Sequence, residues 1–175
     1  MPVKNLKTKH LKIRGFSLIE LMVTVAIIAV LSGILLVNTS GSRAKARDAQ
    51  RVSDLSQLQL AFALFYDRCG YYPEGGTVLN INISNNCPSG VTLGTFISQI
   101  PTPPSGTTQT AYNYATTGAN GTPTNFILHA ILESYNPAVA KGLSSRPAGY
   151  GSANDNSFTC STSSTPPIQY CVTSK

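Results

Sequence analysis

A chain of 175 residues, 42% hydrophobic and 11% charged, has room for one domain of ordinary size plus a membrane segment. Its net charge of +6 is unevenly placed: Lys4, Lys7, Lys9, Lys12 and Arg14 precede Gly15, and thirteen Lys and Arg less these five leaves eight against seven Asp and Glu. The basic pI is therefore no mark of a nucleic-acid-binding domain, and with only Arg68, Lys141, Arg146 and Lys175 beyond residue 67 a nucleic-acid partner is unsupported.

Residues 1–15 are polar and basic, without apolar periodicity. Leu18–Val37 is then almost continuously apolar, interrupted by Glu20, Thr24, Ser32 and Gly33. In a helix this run would extend about 30 Å, the thickness of a bilayer core. It is too long for an ordinary secretory signal, and the one Ala-x-Ala sequence, Ala44-Lys45-Ala46, lies beyond Arg43. Nor does a cysteine follow the core, as a lipoprotein signal requires. A plain membrane anchor gives no reason for Glu20, since a charge at the bilayer midplane costs about 2.5–3.5 kcal/mol.

Arg43–Tyr66 resumes as a helix. Val52, Leu55, Leu58, Phe62 and Phe65 recur at three- and four-residue steps and form one apolar stripe. Arg47, Asp48, Arg51 and Asp54 take the other side, with Asp48 and Arg51 close enough to pair. No proline stands between Phe16 and Tyr72, so one continuous or gently bent helix of about 50 residues is expected, stopped by Gly70 and Pro73. Asn38-Thr39-Ser40-Gly41 is a polar break within it.

Past Tyr72, Gly, Ser, Thr, Asn and Pro dominate. Val78–Ile83 alternates with period two, and Ala111–Tyr114 and Asn125–Leu132 flank Gly118–Pro123, which reads as an antiparallel hairpin. His129 is then a strand residue. Leu93–Ile100 is expected as a short helix ended by Pro101, and 136–167 as loop. Cys69, Cys87, Cys160 and Cys171 all follow the apolar run, and none has Cys-x-x-Cys spacing. An even count beyond a membrane segment suggests disulfides. Three pairings are open, of which Cys69–Cys87 and Cys160–Cys171 is the economical one; unpaired thiols are the alternative. No phosphate loop, catalytic triad or metal cluster is visible, so neither an enzyme nor a bound cofactor is expected.

Glu20 acquires a partner if the bond after Gly15 is cut. Phe16 would then carry an α-amino group with a pKa near 8, mostly protonated at neutral pH. In a parallel stack of helices, that amine and the Glu20 carboxylate of a neighbour would neutralise each other and fix the axial register.

The combination is specific. A basic leader, Gly15, and Phe16-Ser17-Leu18-Ile19-Glu20-Leu21-Met22 opening an apolar helix resemble the processing site of type IV prepilins and type II secretion pseudopilins. Ala46–Tyr72 followed by Pro73 resembles the amphipathic helix and Tyr-Pro boundary of major pseudopilins and small pilins. The similarity covers 11–73, and the remainder agrees in style. It implies an α+β, type IV pilin-like fold: a long N-terminal α-helix packed on a small antiparallel β-sheet with a disulfide-tied C-terminal loop. The implied domains are a cleaved leader (1–15), a transmembrane and filament-core helix (16–40) and an extracytoplasmic globular domain (41–175).

By the same resemblance, a prepilin peptidase cuts between Gly15 and Phe16 and N-methylates Phe16, and Glu20 neutralises the Phe16 terminus of a neighbouring copy. Methylation keeps the amine's charge. The subunit waits in the bacterial cytoplasmic membrane as a single-pass protein with a cytoplasmic N-terminus. An assembly ATPase and a platform protein then draw it into a homopolymeric filament, extracellular or periplasmic. Two departures stand out. Val37 replaces a proline that many members carry, leaving Gly33 and Asn38–Gly41 as substitute weak points. Secretion-system major pseudopilins bind calcium through acidic residues of a C-terminal loop, whereas only Glu133 and Asp155 follow Glu74 here, so no calcium site is expected. The Cys160–Cys171 end is closer in style to a pilin. The alternatives are a pseudopilin of a type II secretion or DNA-uptake system, and a single-pass membrane-anchored binding module.

Overall fold

With no proline between Phe16 and Tyr72, nothing in the backbone chemistry breaks a helix there, and the described residues on either side of Val37 and Asn38 are helical: α1, Leu18–Leu36, and α2, Thr39–Cys69. The computed structural model describes residues 15–36, 39–74, 79–84, 87–88, 90–119, 121–135, 142–150 and 158–174. The leader before Gly15, Val37 and Asn38, Val78 and Asp155 lie outside the described residues. The chain divides into two units, Met1–Thr39 and Ser40–Lys175. Among the described residues no helix is long and apolar enough to cross a membrane. The run expected to span Leu18–Val37 is helical over the 19 residues of α1, about 28 Å.

In the second unit, α2 lays its stripe on a three-stranded antiparallel sheet. Strand β1 is Asn113–Ala119, β2 is Thr122–Leu132 and β3 is Ile168–Thr173, in the order β1-β2-β3. Leu55, Leu58, Phe62 and Phe65 are fully buried against Tyr114, Phe126, Leu128, Ala130, Leu132, Ile168 and Tyr170. Each such side chain contributes about 1.5–3 kcal/mol of burial. Phe62 sits 5.0 Å from both Tyr114 and Phe126, ring centre to ring centre, and Tyr72 packs on Phe126 at 4.8 Å. Tyr72 N–H donates to the Pro123 carbonyl at 2.8 Å, and the Tyr114 hydroxyl to that of Pro73 at 2.5 Å. The end of α2 is thus stitched to the hairpin.

The central strand is covered on both faces, which is why Phe126–Leu132 reads as a near-continuous apolar run. Ile127 and Ala115 pack on the far face with Phe158, Cys160 and Cys171, joined by Leu143 and Tyr150. His129 points the same way. Its ring stacks on Phe158 at 4.8 Å, and Nε2 lies 2.6 Å from Gln169 Oε1. The hairpin bulges at Thr117/Gly118, where Gly118 has φ +127° and a Cβ would crowd Thr124 N.

Several expectations change. The alternation over 78–83 forms no strand among its described residues. Ile81 and Asn82 turn instead, and Leu93 and Gly94 donate N–H bonds to the carbonyls of Ile83 and Ile81. The helix expected over Leu93–Ile100 is a three-residue 3-10 turn, Leu93–Thr95. Past the 136–167 segment expected as loop, Ile168–Thr173 pairs with Ile127–Leu132 as β3, a strand that no sequence pattern announced. Its sequence hid it, because partners on β2 supply the order.

The charged side of α2 forms the expected Asp48–Arg51 pair, at 2.6 Å. Asp48 and Arg51 are wholly buried and Asp54 nearly so. Arg51 bonds Asp48 and Glu133, Arg47 forks onto Glu133, and Tyr112 donates to Asp54 at 2.6 Å. The helix is therefore covered on two sides, by the sheet and by the segments around Pro104–Ser105 and Glu133–Ser134.

Candidate functional site

Gly15, Phe16 and Ser17 precede the first helical residue and are exposed. A side chain built on Gly15 would meet nothing within 4 Å. Phe16 itself is 82% exposed. In the intact chain the Phe16 nitrogen is a peptide amide without a charge, and Glu20 turns elsewhere. Ser17 N–H donates to Glu20 Oε2 at 3.3 Å, while the Ser17 carbonyl accepts from Leu21 N–H at 3.3 Å.

Ser17-Leu18-Ile19-Glu20 thus provides the glutamate half of a capping box. One orphan donor of the helix start is satisfied, and a negative charge stands in the first turn, where the helix dipole favours it. Sequence reasoning weighed Glu20 only by its charge; the Ser-x-x-Glu spacing was the signal for this second role.

Behind this cap, α1 is apolar on every side. From Leu18 to Leu31 every Leu, Ile, Val and Met is at least 52% exposed, and Glu20 is the one charged side chain of the helix. Ala26, flanked by Val23, Ile27, Val30 and Leu31, leaves a shallow groove of about 350 Å³. A helix apolar all round is one that something else must cover. Covering ten such side chains is worth on the order of 10–20 kcal/mol.

The cysteines lie in the other unit. Cys69, the last residue of α2, is bonded to Cys87, and Cys160 is bonded to Cys171 of β3, with Cα atoms 5.0 Å and 5.6 Å apart. A calcium ion would need free carboxylate oxygens. Both oxygens of Glu133 are engaged by Arg47 and Arg51, and among the described residues no group of three or more His, Cys, Asp or Glu could hold a metal.

Residues 11–36 match the family model described as the prokaryotic N-terminal methylation motif. Over 125 residues the chain is 30% identical to the type II secretion system core protein G of Vibrio cholerae serotype O1, covering 70% of this chain and 84% of that protein. No solved structure matches the chain.

Proposed function

Because the chain belongs to the type IV pilin and type II secretion pseudopilin family, we propose that it is the precursor of a filament subunit that polymerises through α1. Prepilin peptidase cuts after Gly15 and methylates the new Phe16 amine. Until assembly, residues 16–40 hold the subunit in the cytoplasmic membrane, N-terminus inside, with 41–175 outside. A platform protein and ATPase then move it into a stack of its own copies. There Glu20 exchanges the Ser17 amide for the charged Phe16 terminus of a neighbour.

The observation that carries this reading is the exposure of every Leu, Ile, Val and Met from Leu18 to Leu31 around a single carboxylate. Lipid can cover the apolar residues, and cutting after Gly15 supplies a charged partner for Glu20 in the new Phe16 amine. Electron microscopy of cell-surface fibres, combined with mass spectrometry of their subunits, tests it. The expected product is a chain starting at N-methyl-Phe16, and an intact leader in cells that contain the peptidase sinks the proposal.

A second reading has its own support. The type II secretion system core protein G relative favours a pseudopilin, whose fibre is short and serves export. Deleting the gene separates the two: loss of surface fibres marks a pilin, whereas retained exoproteins in the periplasm mark a secretion subunit. Monomers that remain in the membrane beside intact assembly proteins would point to an anchored binding module.

A further inference from the structure

His129 is buried on the far face of the sheet, and both of its ring nitrogens meet oxygen. Nδ1 lies 3.4 Å from Asn113 Oδ1 on β1, and Nε2 lies 2.6 Å from Gln169 Oε1 on β3. A neutral imidazole has one N–H and one lone pair, so it cannot donate to two oxygens at once.

The β1 side of this arrangement is fixed by main chain. Gln109 Oε1 accepts the Ile131 N–H at 2.8 Å, and its Nε2 donates to the His129 carbonyl at 3.2 Å. One partner only donates and the other only accepts, so the Gln109 amide has a single orientation. Its Nε2 also donates to Asn113 Oδ1 at 2.7 Å, which orients the Asn113 amide in turn. That oxygen keeps a second lone pair for His129, and Nδ1 therefore carries the hydrogen. Gln169 is held differently. Among the described residues its side-chain amide bonds His129 alone, and the residue is half-buried.

Two arrangements then satisfy the ring. A neutral Nε2 offers a lone pair and takes an N–H from Gln169 once that amide is turned by a half rotation. A charged ring offers a second N–H, which Gln169 Oε1 accepts. We propose that His129 and Gln169 form a two-position proton switch, in which the Gln169 amide turns over when the ring gains or loses its proton while Gln109 and Asn113 stay still. The change of charge on a buried ring is thereby carried to a half-buried side chain of β3. The proposal does not depend on the filament reading.

The surrounding groups leave Gln169 as the one that favours the charged ring. Phe158 stacks on the ring at 4.8 Å, and the Arg146 guanidinium lies 4.7 Å from the centre of the same Phe158 ring, where it opposes a second positive charge. Cys171, opposite His129 on β3, is held in its disulfide and does not titrate. The Tyr150 hydroxyl is 3.3 Å from Thr173 Oγ1 and is uncharged in acid. Among the described residues no carboxylate bonds the ring.

The test is nitrogen NMR of the isotope-labelled full chain in detergent micelles, with His10→Gln leaving one histidine. At neutral pH the ring should carry its single hydrogen on Nδ1, with a through-bond coupling from the Gln169 amide nitrogen to Nε2. As acid is added, the Gln169 side-chain signals should move with the ring's midpoint, and those of Gln109 and Asn113 should not. Gln169→Leu should lower the proton affinity of the ring at least about three-fold, and Gln169→Glu should raise it at least about ten-fold. A hydrogen on Nε2 at neutral pH, a Gln169 amide indifferent to the titration, or an unchanged midpoint in Gln169→Leu overturns the proposal. Where acid unfolds the chain before the ring titrates, the neutral state decides: both the Nδ1 hydrogen and the Gln169 coupling support it, and the loss of either overturns it.

Discussion

Arg51 and Glu133 are 82 residues apart in the chain and 2.8 Å apart in space, and their contact fastens the early turns of α2 to the residue that follows β2. Asp48 completes the arrangement, and both it and Arg51 are fully buried. Removing one member of a buried ion pair leaves the other uncompensated, at about 3–5 kcal/mol. Asp48→Ala should lower the unfolding free energy by that amount in denaturant titration, while Arg43→Ala, on the exposed side, should stay within about 0.5 kcal/mol. Equal, small effects of the two changes would show that the buried pair holds nothing.

His129 makes the second unit sensitive to mild acid. Burial lowers its pKa from 6.5 to about 4, partly offset by the bond to Gln169. The unfolded chain therefore takes up a proton before the folded one does. Stability is intact above about pH 6.5 and falls as the pH drops towards 4, by about 3 kcal/mol. Glu133, held down to about 2 chiefly by the bond from Arg47, adds its own loss only below about pH 4.5. Melting curves at pH 7 and pH 5 should diverge, and His129→Leu should flatten the difference between them. An unchanged pH 5 deficit in that variant would place the sensitivity elsewhere.

Glu20 can be dissected because its two roles need different atoms. Glu20→Gln keeps an oxygen for the Ser17 N–H and loses the charge; Glu20→Val loses both. If the charge drives assembly, both variants should accumulate as processed subunits and yield at least ten-fold fewer filaments by shearing and immunoblot. Normal filament yield from Glu20→Gln would leave capping as the residue's work and remove the ion pair.

The bond between Cys160 and Cys171 ties the covering segment of the far sheet face to β3. Closing a loop with a sequence separation of 11 is worth about 3 kcal/mol in chain entropy. Cys160→Ser with Cys171→Ser should therefore lower stability by that order. It should also expose the Phe158 side of the sheet to protease before α2 is attacked. Simultaneous cleavage of both regions would indicate one cooperative unit without a detachable cover.

What could be read from residues alone follows from how local the physics is. The stripe Val52, Leu55, Leu58, Phe62 and Phe65 repeats with the helix period, so its burial is written in consecutive turns. The hairpin announces itself by Gly118 and Gly121 between apolar runs. Arg51 and Asp54 could be placed on the other side of the helix but not given these contacts, because Glu133, Pro104 and Tyr112 arrive from 53 to 82 residues away. Strand β3 was hidden for the same reason: with Pro166 and Pro167 before it and Gln169 and Thr173 within it, only its register on β2 makes it a strand. At the candidate site, Gly15 to Glu20 lie within six consecutive residues, so the chemistry could be posed in full. What the structure adds is the Ser17 bond, which changes the starting partner of Glu20.

The inward use of charge also governs how copies of this lobe would meet. With Arg47, Asp48, Arg51, Asp54 and Glu133 bonded to groups of the same lobe, Asp67 and Arg68 are the exposed ions past residue 51 among the described residues, adjacent and opposite in sign. The rest of the outer surface is set by groups such as Gln57, Thr124, Asn125 and Ser163. Beyond the first turns of α2, where Arg43 and Lys45 are exposed, such surfaces meet with little charge for dissolved electrolyte to screen. Packing between those parts of the lobe should hold equally in dilute and in briny surroundings, leaving shape and hydration to decide how closely copies would pack.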